Sequence, residues 1–272
     1  MDIGGQWKFV DIHHHGCAIC TQVTDPILWI SECAGRQAPE YGIIYAMSRY
    51  FNWVVRAVFG VCLVYVYFGV CQTHALKFKA YDFLFINLIL AYVPVELSLH
   101  LDEKTPAALF WTLFPLWFLF YPNAPYMLTD FFHLAKFQPY IVAPSGKLTS
   151  LLMPDIPMWA AYTILSIGIL VAALFGVWSL DHVTDALVSR FAVRRRLLAK
   201  VALVVAVSAC AGVGIYLGRF PRLHTIDLFM RTRWALGEIA SACGIKLLEF
   251  TALMTLFQTT FWALFKTIRN TP

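Results

Sequence analysis

Long runs of apolar residues, separated by short polar or basic connections, dominate the pattern of this chain. A helix needs about 20 such residues to cross the hydrocarbon layer of a membrane, because each residue advances it by about 1.5 Å. The pattern therefore predicts six membrane-spanning helices, at residues 51–71, 81–99, 107–121, 157–180, 197–218 and 247–265.

The composition excludes a soluble globular protein. Of the 272 residues, 60% are hydrophobic and only 14% are charged, whereas a soluble domain carries about 25% charged residues. The fold class predicted is an all-α polytopic bundle of about six transmembrane helices, forming a single domain over residues 47–272. The net charge of +5 does not indicate nucleic-acid binding, since the basic residues lie in connections between apolar runs, where they act as topology signals.

Residues 1–46 differ from the remainder, having neither a spanning run nor a clear amphipathic period. Imidazoles at positions 13–15 with thiols at Cys17 and Cys20 suit zinc, but a complete site usually needs a second ligand pair and only Cys33 follows. We interpret residues 1–46 as an over-long translation start or a disordered N-terminal extension, and we predict neither a bound metal nor a cofactor.

The distribution of Lys and Arg predicts the orientation. The connection between the fourth and fifth spans contains five basic residues, Arg190, Arg194, Arg195, Arg196 and Lys200, and such clusters favour the cytoplasmic side. Six spans then place both termini in the cytoplasm, for a protein of the bacterial plasma membrane. The 219–246 loop, with five basic residues of its own, would lie outside, so the charge bias is small.

Two prolines interrupt the third apolar run, in the sequence FYPNAPYMLTDFFHL at residues 120–134. Pro122 and Pro125 should end the helix, because proline lacks an N–H donor and disfavours helix in the residue before it. A short helix beginning near Tyr126 would place Asp130 and His133 on one face. We expect a re-entrant or interfacial element that presents these side chains to a site, or else an ordinary interfacial turn with the two residues paired for structure.

Three motifs carry a resemblance to a known family. They are PNAPYMLTDFFHL at 122–134, NLILAYVP at 87–94, and GRFPR at 218–222 followed by Asp227. Together they resemble an uncharacterised bacterial membrane family, the domain of unknown function 1361 family, over about residues 50–266. The resemblance implies a multi-pass membrane protein and supplies no established activity.

The predicted topology brings polar residues together on the outer face. A shared site would explain why ionisable side chains lie at membrane depth. Placing such groups there costs free energy and is usually found where they have a function. Each also has a simpler explanation, such as a helix N-terminus for Asp82 or lipid phosphates for Arg219 and Arg222. The candidate ligand-binding residues are Asp82, Asn123, Asp130, His133, Arg219, Arg222, Asp227 and Glu249.

Three functions compete. The first is binding or transport of an anionic small molecule or lipid head group through Arg219 and Arg222, because guanidinium groups suit phosphate and carboxylate. The second is a membrane-embedded hydrolase or transferase for a lipid-linked substrate, with Asp130 and His133 as general acid and base or as metal ligands. The third is a structural partner subunit. Membrane lipids are the expected partners, and the oligomeric state is left open.

Other polar residues in the apolar runs have structural interpretations. Asn87 and Gln258 are expected to form hydrogen bonds between helices, and Glu96 with His100, four residues apart, to pair near a helix end. The segment 226–242 alternates apolar and charged residues at a roughly helical period and should lie along the membrane surface.

The orientation can be tested with single cysteines at Ser145 and Ser189 in a background without native cysteines. With cytoplasmic termini, an impermeant thiol reagent added to intact cells should label position 145 and spare position 189. Labelling of 189 with protection of 145 would show that the orientation is reversed.

Overall fold

A computed structural model describes residues 50–68, 82–136, 140–142, 144–146, 148–152, 154–191, 194–223 and 227–270. The chain divides into two units, Met1–Trp53 and Val54–Pro272, and the packing and sites described below belong to the second. The extension predicted at 1–46 lies outside the described residues, as do the end of the first predicted span and the start of the second.

The described elements are predominantly helical, which confirms the predicted all-α bundle. Along the chain they are α1 (Tyr50–Phe68), α2 (Asp82–Ser98), α3 (Ala107–Phe120), α4 (Asn123–Tyr126), a 3₁₀ helix (Met127–Lys136), β1 (Tyr140–Val142), β2 (Leu148–Leu152), α5 (Ile156–Arg190), α6 (Arg196–Arg219), α7 (Asp227–Met230), α8 (Thr232–Ala242) and α9 (Ile245–Asn270). Each of the six predicted spans corresponds to one helix: α1, α2, α3, α5, α6 and α9.

Four of these helices, α1, α5, α6 and α9, are long and apolar enough to cross a membrane, as expected of an integral membrane protein. The other two are shorter, with 17 described residues in α2 and 14 in α3. Fourteen residues extend only about 21 Å, against a hydrocarbon thickness of about 30 Å. After α3 the chain continues through α4 and the 3₁₀ helix.

Helix α5 is longer than predicted, with 35 residues, and continues through the charged segment after Leu180 to Arg190. Its length of about 52 Å exceeds the hydrocarbon thickness, so its C-terminal part extends past the apolar layer. The added turns contain Asp181, His182 and Asp185, which the sequence analysis had assigned to a connection.

A small antiparallel hairpin, not expected from the apolar pattern, lies between the 3₁₀ helix and α5. Strand β1 pairs with β2 so that Tyr140 faces Leu152 and Val142 faces Leu148. Gly146 lies in the intervening turn with a φ of +76°, a conformation that glycine adopts without steric cost. These strands are too short to produce a clear alternation of apolar and polar residues.

Two apolar cores are built around α5. One packs its N-terminal half against α1, α2 and α4, with Phe59, Leu88 and Ile169 among its buried members. The other packs its C-terminal half against α3, α6 and α9, with Trp117 and Leu180 at its centre. Helix α5 is thus the central element of the Val54–Pro272 unit.

Glycines on two helices allow α4 to pack closely between them. A Cβ atom at Gly176 of α5 would lie 2.7 Å from the Cβ of Ala124, and one at Gly214 of α6 would lie 3.0 Å from the Pro122 ring. Gly218, one turn further along α6, faces the Tyr126 ring. The interrupted segment after α3 therefore packs closely against the backbones of α5 and α6 at these glycines.

Adding one methyl group should reveal this packing. Gly176→Ala should reduce the free energy of unfolding by about 1 to 3 kcal/mol, because the new Cβ overlaps Ala124. Gly60→Ala in α1 is the matched control: its Cβ meets nothing within 4 Å, so improved helix propensity should leave stability equal or higher. Thermal unfolding in detergent measures both, and equal effects of the two substitutions would contradict the packing described.

Candidate functional site

The chain between α3 and β1 follows the break predicted from its prolines. Helix α3 ends at Phe120, and α4 and the 3₁₀ helix follow, so the predicted short helical element after the third helix is confirmed. The Asn123 side-chain amide donates to the Phe120 carbonyl at 2.9 Å, and the Thr129 hydroxyl donates to the Tyr126 carbonyl at 2.7 Å. Side chains thus satisfy carbonyl groups that the broken helix leaves open.

Asp130 lies at the centre of the candidate site, with 0% of its side chain exposed. Its Oδ1 accepts a hydrogen bond from Nη1 of Arg219 at 3.1 Å, and its Oδ2 accepts one from Nδ2 of Asn87 at 3.0 Å. Nδ1 of His133 lies 3.6 Å from Oδ1 and 3.2 Å from the Asp130 carbonyl oxygen. We call these four residues the Asp130 cluster; it links the 3₁₀ helix to α2 and α6.

Arg219, at the end of α6, makes further contacts with the interrupted segment. Its Nη2 donates to the Thr129 carbonyl at 2.9 Å, and its Nη1 lies 3.5 Å from the Tyr126 hydroxyl. Of the five N–H donors of a guanidinium group, the Nε donor and one Nη2 donor make no hydrogen bond to the described residues. With 21% of its side chain exposed, Arg219 is held in place but is not fully buried.

His133 lies beside the Asp130 carboxylate. Its ring stacks on the Phe83 ring, with centroids 4.1 Å apart and planes inclined by 27°, and 18% of its side chain is exposed. The Phe83 contact and the Asp130 carboxylate together fix the orientation of the imidazole.

Burial dominates the electrostatics of the carboxylate. The 3₁₀ helix lies outside the spanning helices, and burial there raises the pKa of Asp130; the Asn87 hydrogen bond and the charge of Arg219 act in the opposite direction. Removing either Asn87 or Arg219 would therefore raise the pKa of Asp130 further and favour its neutral form.

The structure brings together three of the eight predicted site residues: Asp130, His133 and Arg219. Arg222 is exposed and has a φ of +58°, a left-handed conformation uncommon outside glycine, in the turn that follows α6. Glu249 is exposed on the first turns of α9. Asn123 binds the end of α3 through its amide, as described above.

The remaining two predicted site residues are Asp227 and Asp82. Asp227 is half-buried at the first position of α7. Asp82 begins α2, and its side chain lies outside the described residues.

Asn87 is the member of the Asp130 cluster that sequence reasoning did not assign to the site. Its amide bonds to Asp130, a residue of the 3₁₀ helix, which agrees with the expected role between elements but also places it in the candidate site. The available signal was its position: a single amide within an apolar stretch near the start of α2, at the end where the interrupted segment was predicted.

A second polar group surrounds Glu96 near the end of α2. The Arg56 guanidinium contacts both carboxylate oxygens, with Nε at 3.2 and 3.1 Å and Nη2 at 2.5 Å. The Tyr92 hydroxyl donates at 2.5 Å, and His100 lies 3.4 Å away, as its spacing from Glu96 predicts. Arg56 thus joins α1 to α2 through an ion pair.

A third polar group, the Asp181 cluster, was not predicted. It comprises Asp181, Asp185, Lys200, Lys266 and Arg269, from the ends of α5 and α9 and the start of α6. Lys200 and Arg219 are 19 residues apart on α6, about 28 Å along the helix axis. This distance is close to the hydrocarbon thickness of about 30 Å, so the Asp181 and Asp130 clusters lie at opposite ends of one candidate span.

Within the described ranges, no group of three His, Cys, Asp or Glu side chains is placed to hold a metal ion. The chemistry available at the Asp130 cluster is therefore described from its own ionisable groups: a buried carboxylate, a guanidinium with accessible donors and an imidazole.

The Asp130–Arg219 interaction can be measured with Asp130→Asn and Arg219→Gln, made singly and together. Each single substitution should cost about 3 to 5 kcal/mol of stability, because it leaves the other group buried without its partner, and the double substitution should cost clearly less than the sum. Thermal unfolding in detergent gives the coupling, with Arg233→Gln on the exposed face of α8 as control. Additive effects would mean that the two side chains do not stabilise each other.

Comparison with known proteins bears on the family. Residues 86–261 match the family model described as Protein of unknown function (DUF1361), a region that includes Asn87, Asp130, His133 and Arg219. No curated protein matches the chain, and no solved structure does either. Because the model covers well over half of the chain, the predicted resemblance is confirmed, and the protein belongs to the DUF1361 family.

Proposed function

We propose that this integral membrane protein binds an anionic group, either the head group of a lipid or a small anion, at the Asp130 cluster. The observation that carries the proposal is the state of Arg219. Its guanidinium is fixed by a buried carboxylate and by a backbone carbonyl, yet 21% of the side chain is exposed and two donors have no partner among the described residues.

The role of Asp130 in this proposal is to orient the guanidinium. An arginine at a bundle end would otherwise be free to extend to the interface, as long basic side chains do. The carboxylate and the Thr129 carbonyl hold one edge of the group, which leaves the Nε–H and an Nη2–H for an incoming oxyanion. Paired donors in a fixed plane match the oxygens of phosphate and carboxylate.

Preorganisation is the physical advantage of this arrangement. A flexible arginine loses side-chain entropy when it binds a ligand, whereas a guanidinium that is already ordered has lost it on folding. Binding of this kind is also the step that transport of an anion would require.

An enzymatic alternative rests on His133. Its Nδ1 lies within 3.6 Å of the Asp130 carboxylate, and a carboxylate so placed orients an imidazole and stabilises its charged form, as in many acid–base pairs. A hydrolase or transferase acting on a lipid-linked substrate would use this pair beside Arg219. The two proposals separate at one substitution: His133→Gln should abolish catalysis but leave anion binding through Arg219 intact.

Anion binding can be tested with purified protein in detergent, titrated with inorganic phosphate, sulfate, citrate and phosphatidylglycerol while thermal unfolding is followed. Wild type should be stabilised by at least one of these probes. Arg219→Lys should weaken that effect by about tenfold, because a lysine keeps the charge but not the paired donors.

Arg233→Lys is the matched control, since Arg233 is exposed on α8 and the same substitution there should leave the titration unchanged. If no probe stabilises the wild type, or if both variants respond as it does, Arg219 does not bind an anion and its contacts serve the fold alone.

A further inference from the structure

The Asp181 cluster, at the opposite end of α6 from Asp130, has a core of tightly bound charges. Asp181 is fully buried, and its carboxylate lies 2.5 Å from Nζ of Lys200, 2.6 Å from Nη1 of Arg269 and 2.8 Å from Nε1 of Trp262. Lys200 also lies 2.5 Å from Asp185. This core ties the end of α5 to the start of α6 and the end of α9.

Lys266 is different from the other cations of the cluster. Its Nζ lies 3.7 Å from Asp181 and 3.9 Å from Asp185, which is beyond hydrogen-bonding distance. Among the described residues, no hydrogen-bond acceptor meets this ammonium group. Among the described residues of the cluster, three cations face two carboxylates, so this set carries one excess positive charge, and the excess lies on the side of Lys266.

The position of Lys266 corresponds to the depth of lipid head groups. It lies 21 residues after Ile245, the first residue of α9, about 32 Å along the helix, just beyond a hydrocarbon thickness of about 30 Å. Of the Lys266 side chain, 26% is exposed, and of the Arg269 side chain 44%. Both cations are therefore accessible where phosphate groups would lie.

The exposed apolar surface of α9 on the N-terminal side of these cations favours a lipid over a free ion. Along the turns that precede Lys266, Leu253 is 62% exposed, Leu256 65% and Leu264 55%. A phospholipid whose phosphate meets Lys266 would place its acyl chains along these residues, so that both parts of the molecule find matching surface.

We infer that Lys266 and Arg269, supported by the buried Asp181 core, bind the phosphate of an anionic phospholipid at the end of α9. One negative charge from the head group neutralises the excess positive charge of the cluster and supplies a hydrogen-bond acceptor for Lys266. This site is separate from the Asp130 cluster and does not depend on the function proposed there.

The test is lipid binding by the purified full-length chain, measured by native mass spectrometry with phosphatidylglycerol and, separately, with phosphatidylcholine. Wild type should prefer phosphatidylglycerol. Lys266→Gln should weaken this binding by about fivefold, the effect of one basic residue at a membrane surface, and Lys266→Arg should retain it. Lys266→Gln should still fold, because Asp181 keeps Lys200 and Arg269.

Lys246→Gln is the matched control, since Lys246 is an exposed lysine on the first turn of the same helix, at its other end; its binding of phosphatidylglycerol should equal that of wild type. Equal binding by Lys266→Gln and wild type would overturn the inference. Protection from thermal unfolding by inorganic phosphate alone, lost in Lys266→Gln and without a preference for phosphatidylglycerol, would overturn the lipid assignment in favour of a free anion.

Discussion

The ion pair between Asp130 and Arg219 allows the third helix to end inside a bundle of apolar helices. A hydrocarbon environment offers no hydrogen bonds to an interrupted backbone, so such a break persists only where protein groups satisfy it. Asn123, Thr129 and the guanidinium of Arg219 meet three of the exposed carbonyl groups. Asp130 neutralises the arginine that approaches them, so the cost of burying each charge is offset by the other.

The same segment depends on close backbone packing. Gly176 and Gly214 leave room for Ala124 and Pro122, so α4 lies against α5 and α6 at a distance that larger residues would prevent. Because α6 carries Arg219 at one end and Lys200 at the other, a single helix joins the two charged clusters. Each cluster combines a fully buried carboxylate with partly exposed cations, which suits the two boundaries of an apolar layer.

Local sequence signals predicted much of this, and tertiary arrangement decided the remainder. The break at Pro122 and Pro125 follows from the missing donor of proline, and the i, i+3 spacing brings His133 to Asp130. The Asp181 cluster could not be predicted in this way, since its members come from three helices and their meeting depends on how those helices pack. The position of Arg222 depends on its own left-handed backbone conformation. The sequence does not predict this conformation, because the residue is not a glycine. The extra length of α5 was hidden because charged residues interrupt its apolar pattern at a point where the helix continues.

The most direct test of this account is the distance between the Asp130 carboxylate and the Arg219 guanidinium in a lipid bilayer. Solid-state NMR with carbon-13 in Asp and nitrogen-15 in Arg measures the dipolar coupling between the two groups. The contact between Asp181 and Arg269, at 2.6 Å, contributes a reference signal that should persist in Asp130→Asn. The account predicts a second strong carbon–nitrogen dipolar coupling in wild type, because Nη1 and Oδ1 lie 3.1 Å apart. This second coupling should disappear in Asp130→Asn. Identical dephasing in the two proteins would show that Asp130 and Arg219 do not meet.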